Sequence, residues 1–352
     1  MVLRMNRQLF KKVSKNILYF IFYHVGAFGV TLRIVEKLRH QHPCVILLYH
    51  RIVEDNTKYL DKGPGMHHHI RDFEEEIPYL KKHYQVLPMD EVIAQIKSGK
   101  GFDRPTVAIT FDDGYLDNYT LAYPVLKKYG IPATIYLTTS LIDTDERTWT
   151  DQIEHALLQT HREYFVVPAL FGEQKISIRT NEEKRTICID LGSKLKAVPD
   201  MRRKELLRDI FEGLGINGSN PLERRPRIML NWDEVREMAG NGITFGSHSH
   251  THPILSRMPL QEAKEDILIS KCIIEEQLGT KVKHFAYPNG RAEDFSEELR
   301  RYCANIGFES VASVIYGVND AAHGNEFALR RISAMCPIWI CAGSIAKLIW
   351  KN

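Results

Sequence analysis

Short apolar runs alternate with amphipathic segments along most of the chain. The runs at residues 45–49 and 107–111 are rich in β-branched side chains, which is typical of buried strands. The segment 73–83 instead repeats its apolar residues at helical spacing. Because strands and helices alternate, the pattern predicts parallel strands in an α/β fold. Further strands are predicted at 135–137, 243–246, 283–287, 311–314 and 329–333, and further helices at 90–97, 119–129, 232–239 and 260–278.

The alternation is interrupted between residues 143 and 230. This stretch is rich in charged residues and gives few strand signals, so it is predicted to be mainly helical, with 202–214 as its best-defined helix. We interpret it as an insertion that leaves the strand order intact and covers one side of a cleft.

The amino-terminal segment, residues 1–43, is predicted to be helical. Its apolar run at 17–30 follows Lys11, Lys12 and Lys15, as in a signal peptide, but no Ala-x-Ala-like cleavage site comes after it. The run is also shorter than the ~20 residues that cross a bilayer. We therefore favour a helix that lies at a membrane surface or packs on the rest of the protein over a cleaved signal.

The carboxyl-terminal segment, residues 336–352, is apolar too, although Lys347 lies inside it. It is predicted to form a helix that packs against the amino-terminal helix or makes with it a patch facing lipid. The predicted organisation is thus a main domain at 44–335 with a helical segment at each end.

Charge and cysteine content narrow the class of protein. The net charge of +3, from 47 basic and 44 acidic residues, is too small to indicate a nucleic-acid partner. The six cysteines include no Cys-x-x-Cys pair, and most lie in apolar runs, so reduced and buried thiols are expected. A secreted disulfide scaffold is therefore not indicated, and the oligomeric state is left open.

Two adjacent carboxylates, Asp112 and Asp113, end the strand at 107–111 and are followed by Gly114. In α/β folds the carboxyl ends of strands face the active-site crevice. Successive strand residues point in opposite directions, so one carboxylate could bind a metal while the other handles a proton. Taken alone, Asp-Asp-Gly would more simply be a turn that ends a strand.

Three histidines follow the strand at 243–246 within five residues. His248 and His252 would share one side of a helical turn, whereas all three, including His250, would share a face of an extended segment. Pro253 favours extended geometry at His252, so the spacing does not choose the pair. Two neutral imidazoles and one carboxylate make the three-ligand set of a catalytic zinc site with an open position.

The motifs Thr-Phe-Asp-Asp-Gly at 110–114 and His-Ser-x-x-His at 248–252 resemble the first two signature motifs of the polysaccharide deacetylases, the NodB-homology or carbohydrate esterase 4 family. Supporting matches lie at 46–52, 128–134, 232–236 and 285–290. The resemblance extends over roughly residues 44 to 335. It implies a distorted (β/α) barrel that carries the helical insertion and the terminal helices.

By this resemblance, Asp113, His248 and His252 bind a divalent metal. Zinc is the expected ion, although imidazole and carboxylate ligands also suit other first-row metals. Asp112 is then the catalytic base, and the backbone N–H of Tyr287 is expected to hold the oxyanion.

Two departures from the family pattern concern the catalytic acid and an arginine. Tyr49-His50-Arg51 resembles the amino-terminal Tyr-His motif of the permuted members, which assigns the acid role to His50, since the usual late motifs are not visible. The arginine that orients the catalytic aspartate in many members is replaced by Ala286, and Arg291 is the substitute we consider. Four residues are predicted to contact substrate: Tyr115, Trp149, which could stack on a sugar ring, Asn289 and Arg291.

The implied function is hydrolysis of N-acetyl groups of a polysaccharide or glycan precursor, with release of acetate. Hydrolysis of another acyl or amide group, or carbohydrate binding with little catalysis, are the alternatives. The expected location is the cytoplasm or a membrane surface, and export with an uncleaved amino-terminal anchor is the alternative.

Overall fold

Parallel strands form the centre of the protein. The computed structural model describes residues 14–55, 58–60, 66–216, 227–320 and 325–351, so the first thirteen residues of the amino-terminal segment lie outside it. The strands are β1 (Cys44–Tyr49), β2 (Arg51–Val53), β3 (His67–His69), β4 (Gln85–Val86), β5 (Thr106–Phe111), β6 (Ala133–Leu137), β7 (Tyr164–Phe165), β8 (Ile176–Ser177), β9 (Ile243–Ser247), β10 (His284–Ala286), β11 (Ser310–Ala312) and β12 (Arg331–Ser333).

The main sheet has the order β11-β10-β9-β6-β5-β1-β12, with β4 paired to β5, and all of these pairings are parallel. The two ends of this order approach each other, because Ser313 just after β11 donates to the carbonyl of Leu329 just before β12, at 2.8 Å. The sheet is therefore nearly closed into a barrel, which confirms the predicted fold class.

Helices surround the barrel because their apolar faces pack on the outer faces of the strands. Most lie within three residues of the predicted bounds, but 118–122 is a π-helical turn that precedes a shorter helix. The helices are α1 (Ser14–His24), α2 (Ala27–Leu38), α3 (Ile70–His83), α4 (Met89–Ser98), α5 (Tyr123–Tyr129), α6 (Trp149–Gln159), α7 (Pro168–Phe171), α8 (Asn181–Lys196), α9 (Asp200–Gly213), α10 (Trp232–Ala239), α11 (Leu260–Leu278), α12 (Glu297–Asn305) and α13 (Ile338–Lys351).

The stretch between β6 and α10 has a hydrophobic core of its own. Helices α6, α8 and α9 bury apolar residues such as Leu157, Leu191 and Ile210 against one another, and β7 and β8 form a small antiparallel pair. This core is separate from the main cluster between the barrel and its surrounding helices.

The terminal helices pack together on one flank of the barrel. Helix α13 contacts α2, α3 and β1, and Gly343 of α13 lies so close to the ring of Tyr19 that no Cβ would fit there. Within the described residues, no single helix is long and apolar enough to cross a membrane. Helices α1 and α2 taken together have the length and composition of a membrane span, but a bend of 78° separates them.

Candidate active site

The two predicted motifs meet at the carboxyl ends of the strands. Asp112 and Asp113 directly follow β5, and His248 directly follows β9, which is separated from β5 only by β6. Because these strands are parallel, their carboxyl ends lie at the same edge of the barrel. Residues 136 positions apart in sequence are thereby brought into one buried cluster.

Asp113, His248 and His252 converge in this cluster. Oδ1 of Asp113 lies 3.1 Å from Nε2 of His252 and 3.5 Å from Nε2 of His248. All three side chains are buried, and one ligand atom from each falls within 4.8 Å of the others. Among the described residues this is the one such group of three, and it contains the carboxylate and the two imidazoles that were predicted as ligands.

The proton positions at His248 favour a cation in the centre. Its Nδ1 lies 2.8 Å from the carbonyl oxygen of Ala286, and a carbonyl only accepts, so Nδ1 carries the proton. Burial lowers the pKa of His248 to about 4, so the imidazole is neutral and Nε2 presents a lone pair to the Asp113 carboxylate. Two acceptors this close repel each other unless a cation lies between them. The donor set therefore fits a divalent metal ion.

The loop between the two histidines determines which imidazoles are paired. Ser249 and His252 have positive φ angles of 70° and 55°, so the segment is neither helical nor extended. The buried carboxylate of Asp266 accepts from the backbone N–H groups of His250 and Thr251 and fixes the turn. Nδ1 of His250 is hydrogen-bonded to the Thr139 hydroxyl at 2.9 Å, and His250 is not part of the cluster with Asp113.

The second carboxylate, Asp112, is held by Arg331 rather than by a histidine. Nη1 and Nη2 of Arg331 each donate to one carboxylate oxygen at 2.7 Å, a bidentate pair in which both side chains are buried. Burial alone would raise the pKa of Asp112, but the adjacent guanidinium of Arg331 outweighs it and holds the pKa below its usual value. Asp112 is therefore ionised and fixed in orientation near Nε2 of His248, at 3.9 Å.

Sequence reasoning missed Arg331 and proposed Arg291 for this role, which is wrong. Arg291 is exposed, and its backbone N–H donates to Asp294. Arg331 belongs to β12, two strands from β5 in the sheet, and its guanidinium lies in the barrel interior over the ring of Tyr136. Ala286 lies in the same interior cluster as Tyr136. The signal in the sequence that could have identified Arg331 is a charged residue within the predicted strand at 329–333.

Asp113 is ionised as well. Burial raises the pKa of Asp113, but the interactions with His252 and then with His248 lower it by more. The net pKa therefore lies well below the usual range. Its Oδ1 is buried and accepts no hydrogen bond among the described residues, which leaves it available as a ligand.

His50 follows β1, the strand between β5 and β12, and is half-buried. Because β1 is parallel to β5 and Tyr49 lies opposite Phe111, His50 lies at the same edge of the barrel as Asp112. The side chain of Asn118 donates to the His50 carbonyl at 2.8 Å. The Arg51–Asp117 ion pair, at 2.8 Å, fixes the chain just beyond it.

The predicted oxyanion donor is not free for that role. The backbone N–H of Tyr287 donates to the carbonyl of Ala312 at 3.0 Å and continues the ladder between β10 and β11. This prediction was wrong because the residue after a strand was assigned a free N–H, whereas the sheet extends by one hydrogen bond.

Two of the predicted substrate contacts are buried in the protein. Tyr115 is fully buried and donates to the carboxylate of Asp151 at 2.7 Å. Trp149 packs in the core of the insertion, with the guanidinium of Arg203 5.1 Å from its ring centre. Neither side chain is available to a sugar in this structure, so both predictions are corrected.

The other two, Asn289 and Arg291, are less buried. Asn289 is half-buried at positive φ, and its Nδ2 lacks an acceptor in the described part of the chain. Arg291 lines a cavity of about 240 Å³ together with Met66 and with Lys196 of α8. The cavity thus lies between the insertion and the loop after β10, and contact of either residue with substrate stays a prediction.

Comparison with known sequences finds related proteins. A family model described as polysaccharide deacetylase matches residues 99–168 and 214–311. The poly-beta-1,6-N-acetyl-D-glucosamine N-deacetylase of Staphylococcus epidermidis is 42% identical over 226 residues, which cover 60% of this chain and 74% of that protein. The putative polysaccharide deacetylase YxkH of Bacillus subtilis is 41% identical over 93 residues, which cover 26% of this chain and only 30% of that protein.

Two solved structures have a similar fold. The Streptococcus pyogenes deacetylase PplD, in complex with acetate, aligns with a TM-score of 0.56 at 19% identity and covers 87% of this chain and 98% of that one. IcaB from Ammonifex degensii aligns with a TM-score of 0.54 at 18% identity, covering 88% and 98%. At such identities the likeness concerns the fold, and it matches the barrel described above. Taken with the sequence matches, this shows that the chain belongs to the polysaccharide deacetylase family.

Proposed function

We propose that this protein is a metal-dependent deacetylase that hydrolyses N-acetyl groups of a polysaccharide or glycan precursor and releases acetate. The observation that carries the proposal is the convergence of Asp113, His248 and His252 beside a second carboxylate, Asp112, that a buried arginine holds ionised. Such a division between ligands and a base is what metal-assisted hydrolysis requires.

Asp113, His248 and His252 would hold the ion, and zinc is the expected one because the site combines two imidazoles with one carboxylate. When bound, the ion supplies Lewis-acid polarisation and makes water more acidic. The hydrogen bond from His248 to Ala286 keeps Nε2 directed at the ion site.

Asp112 is proposed to accept the proton of the water that attacks the acetyl carbonyl carbon. Its bidentate contacts with Arg331 fix both carboxylate oxygens, so no reorganisation is needed when the proton arrives. A carboxylate whose pKa lies below its usual value is ionised at neutral pH, as a base must be.

His50, in its protonated form, is proposed to donate a proton to the departing amine. The carbon–nitrogen bond then breaks, and water supplies the hydroxyl of the acetate while the sugar keeps a free amine. The unpartnered Nδ2 of Asn289 is a candidate donor to the substrate.

The name of the S. epidermidis relative supports an N-acetylglucosamine polymer as substrate. One alternative is a non-catalytic carbohydrate-binding protein, which was considered because position 286 lacks the arginine of many family members. Arg331 contacts Asp112 from another strand, which argues against this alternative. Hydrolysis of another acyl or amide group remains the second candidate, because the metal cluster does not select the acyl group.

A substrate panel tests the proposal. The purified protein is treated with a chelator, resupplied with zinc or another divalent metal, and assayed for acetate release from N-acetylglucosamine oligomers, an O-acetylated glycan and a cyclic amide. We expect release from the N-acetyl oligomers that disappears with the metal and returns with it. Turnover of the other two substrates alone, or activity that survives complete metal removal, would refute the proposal.

A further inference from the structure

The described residues expose an unusual number of large apolar side chains on α1 and α2. Nine of the seventeen large apolar side chains that are exposed lie on these two helices and the turn between them, although the helices make up a small part of the chain. A concentration of exposed apolar side chains on a folded protein indicates an interaction site. We call it the apolar flank; it consists of Ile17, Leu18, Phe20, Ile21, Phe22, Val25, Val30, Ile34 and Leu38.

Helix α2 shows that the exposure is patterned. Leu32 and Val35 are buried on the side that faces the barrel, so α2 already has the apolar stripe that attaches it to the protein. Val30, Ile34 and Leu38, spaced four residues apart, form a second stripe along its outer side. An ordinary surface helix carries polar residues there.

Helix α1 repeats the arrangement. Tyr19 packs against α13 at Gly343, where it secures the helix to the protein. Ile17, Ile21 and Val25, again four apart, are about half exposed or more, and Val25 reaches 69%. Both helices therefore expose a row of apolar side chains in the described part of the chain.

Most charged residues of α1 and α2 are positive. Glu36 is the single acidic residue of α1 and α2, and it pairs with Arg104 at 2.7 Å. Arg33 and Lys37 precede Ile34 and Leu38 by one position, so they border the outer stripe. An apolar helix face bordered by basic side chains is the pattern of helices that lie in the interface of anionic membranes.

A cavity of about 420 Å³ lies beside the apolar flank, between α2 and the end of α3. Arg33 and Lys82 line it, and neither has an ion-pair partner within the described residues. His83 also lines it, and burial followed by the charges of Lys82 and Arg33 lowers the pKa of this imidazole. The cavity thus offers uncompensated positive charge immediately next to exposed apolar residues.

These observations favour lipid over a second copy of the chain. In a two-fold dimer the same patch faces itself, so Arg33 and Lys82 of both copies would meet without a counter-charge. A membrane supplies an acyl region for the apolar flank and phosphate for the cations beside it. We infer that the apolar flank docks into an anionic membrane surface and that Arg33 and Lys82 hold a phospholipid headgroup in the adjacent cavity.

Vesicle binding by the full chain tests the inference, which does not depend on the deacetylase activity. Sedimentation with phosphatidylcholine vesicles is compared with and without phosphatidylglycerol, at low and high salt. We expect binding that needs the anionic lipid and weakens with salt. Arg33→Glu and Lys82→Glu should each weaken it by fivefold or more, since a basic residue near an anionic surface contributes roughly this factor.

Matched controls distinguish the effect of the apolar flank on vesicle binding from the effect of changing an exposed residue elsewhere. Val25→Ser should weaken binding roughly tenfold, whereas Met201→Ser, at the same 69% exposure on α9, should not. Lys175→Glu, an exposed lysine of the insertion, controls for the charge reversals. All variants should keep the thermal unfolding and the soluble-substrate activity of the parent protein, which distinguishes a docking defect from a folding defect.

Three results would overturn the inference. The parent protein could ignore both vesicle types while Val25→Ser converts a dimer to a monomer, which would assign the surface to a second copy. Retention could be independent of salt and of both charge reversals, which would indicate helices inserted across the bilayer. The flank and control variants could also weaken binding equally, which would show that the apolar flank has no special part in it.

Discussion

The carboxyl end of the barrel and the apolar flank depart from the usual distribution of side chains in opposite directions. At the barrel end, charged groups such as Asp112, Asp113 and Arg331 are almost completely buried. On the apolar flank, large apolar groups such as Val25 and Leu38 are exposed by 69% and 74%. Each departure costs free energy, so each needs a compensating partner.

The two regions differ in where that partner is. Asp112 has its partner within the chain, because Arg331 supplies a fixed counter-charge. Asp113 and the neutral His248 present two acceptors to one point, so their partner is a cation that the chain does not contain. The partner of the apolar flank is also external. The paired side chain of Asp112 therefore fixes the geometry of the site. The side chains without a partner in the chain indicate what each region binds.

The largest expected effect is at the ion site. Asp113→Asn removes the only ligand that carries a negative charge, so metal affinity should fall by more than the roughly 10- to 100-fold seen when a supporting residue is lost. Activity should fall with it. Asp112→Asn is the matched variant, and it should keep the metal while it loses about 10²- to 10⁴-fold in kcat. Metal titration beside the acetate-release assay measures both, and equal metal affinity in the two variants would contradict the division of roles.

Arg331 is expected to have the largest effect on stability. Arg331→Met leaves Asp112 buried without a counter-charge and should cost about 3–5 kcal/mol. Arg331→Lys keeps the charge but not the two-pronged geometry, so activity should fall even where the fold survives. Chemical denaturation measures the free energy of unfolding. Arg330→Met is the control, since that neighbouring side chain is exposed, and a loss as large there would show that the strand rather than the ion pair is responsible.

His68 should make stability depend on pH. It lies 3.2 Å from Glu76 and 3.2 Å from the Cys336 sulphur. Burial lowers its pKa, but the contacts with Cys336 and Glu76 outweigh burial and raise it to about 10, above the 6.5 of the unfolded chain. The stabilisation is therefore complete below about pH 6.5 and is lost as the pH rises through about 10.

Thermal unfolding measures this dependence when it is recorded from roughly pH 6 to roughly pH 10.5, a range that includes both pKa values of His68. His68→Gln should cost about 1–3 kcal/mol at neutral pH and flatten the alkaline part of the profile. His161→Gln, at an exposed histidine, should leave the profile unchanged. A steep alkaline loss in His68→Gln would assign the effect to another group.

The smallest effect is expected on the apolar flank. Ile34→Ser should change the free energy of unfolding by no more than about 0.5 kcal/mol, because Ile34 is 46% exposed and has no partner to lose. Ile345→Ser in α13 is the buried counterpart and should cost about 2–5 kcal/mol. Denaturation of the two variants compares them directly. A large loss in Ile34→Ser would mean that the apolar flank is covered within the protein.

Apolar periodicity predicted parallel strands in an α/β fold, because it follows from the local geometry of strands and helices. The barrel itself was predicted from the resemblance to the polysaccharide deacetylases. The resemblance of the two motifs to those of the family also predicted Asp112, Asp113, His248 and His252 as the residues of the site, although spacing alone did not choose between His250 and His252. Helix bounds such as those of α11 were predictable because a glycine stops the helix where its apolar pattern ends.

Tertiary structure decided what depends on distance across the sheet. Arg331 is 219 positions from Asp112 and reaches it only because β12, β1 and β5 are neighbours. The choice of His252 over His250 depends on backbone angles that Asp266 of a later helix stabilises. The backbone N–H of Tyr287 is occupied because it donates to Ala312 of β11. Local sequence encodes periodicity and residue type, but hydrogen bonds and buried charge pairs form between segments whose proximity only the folded chain establishes.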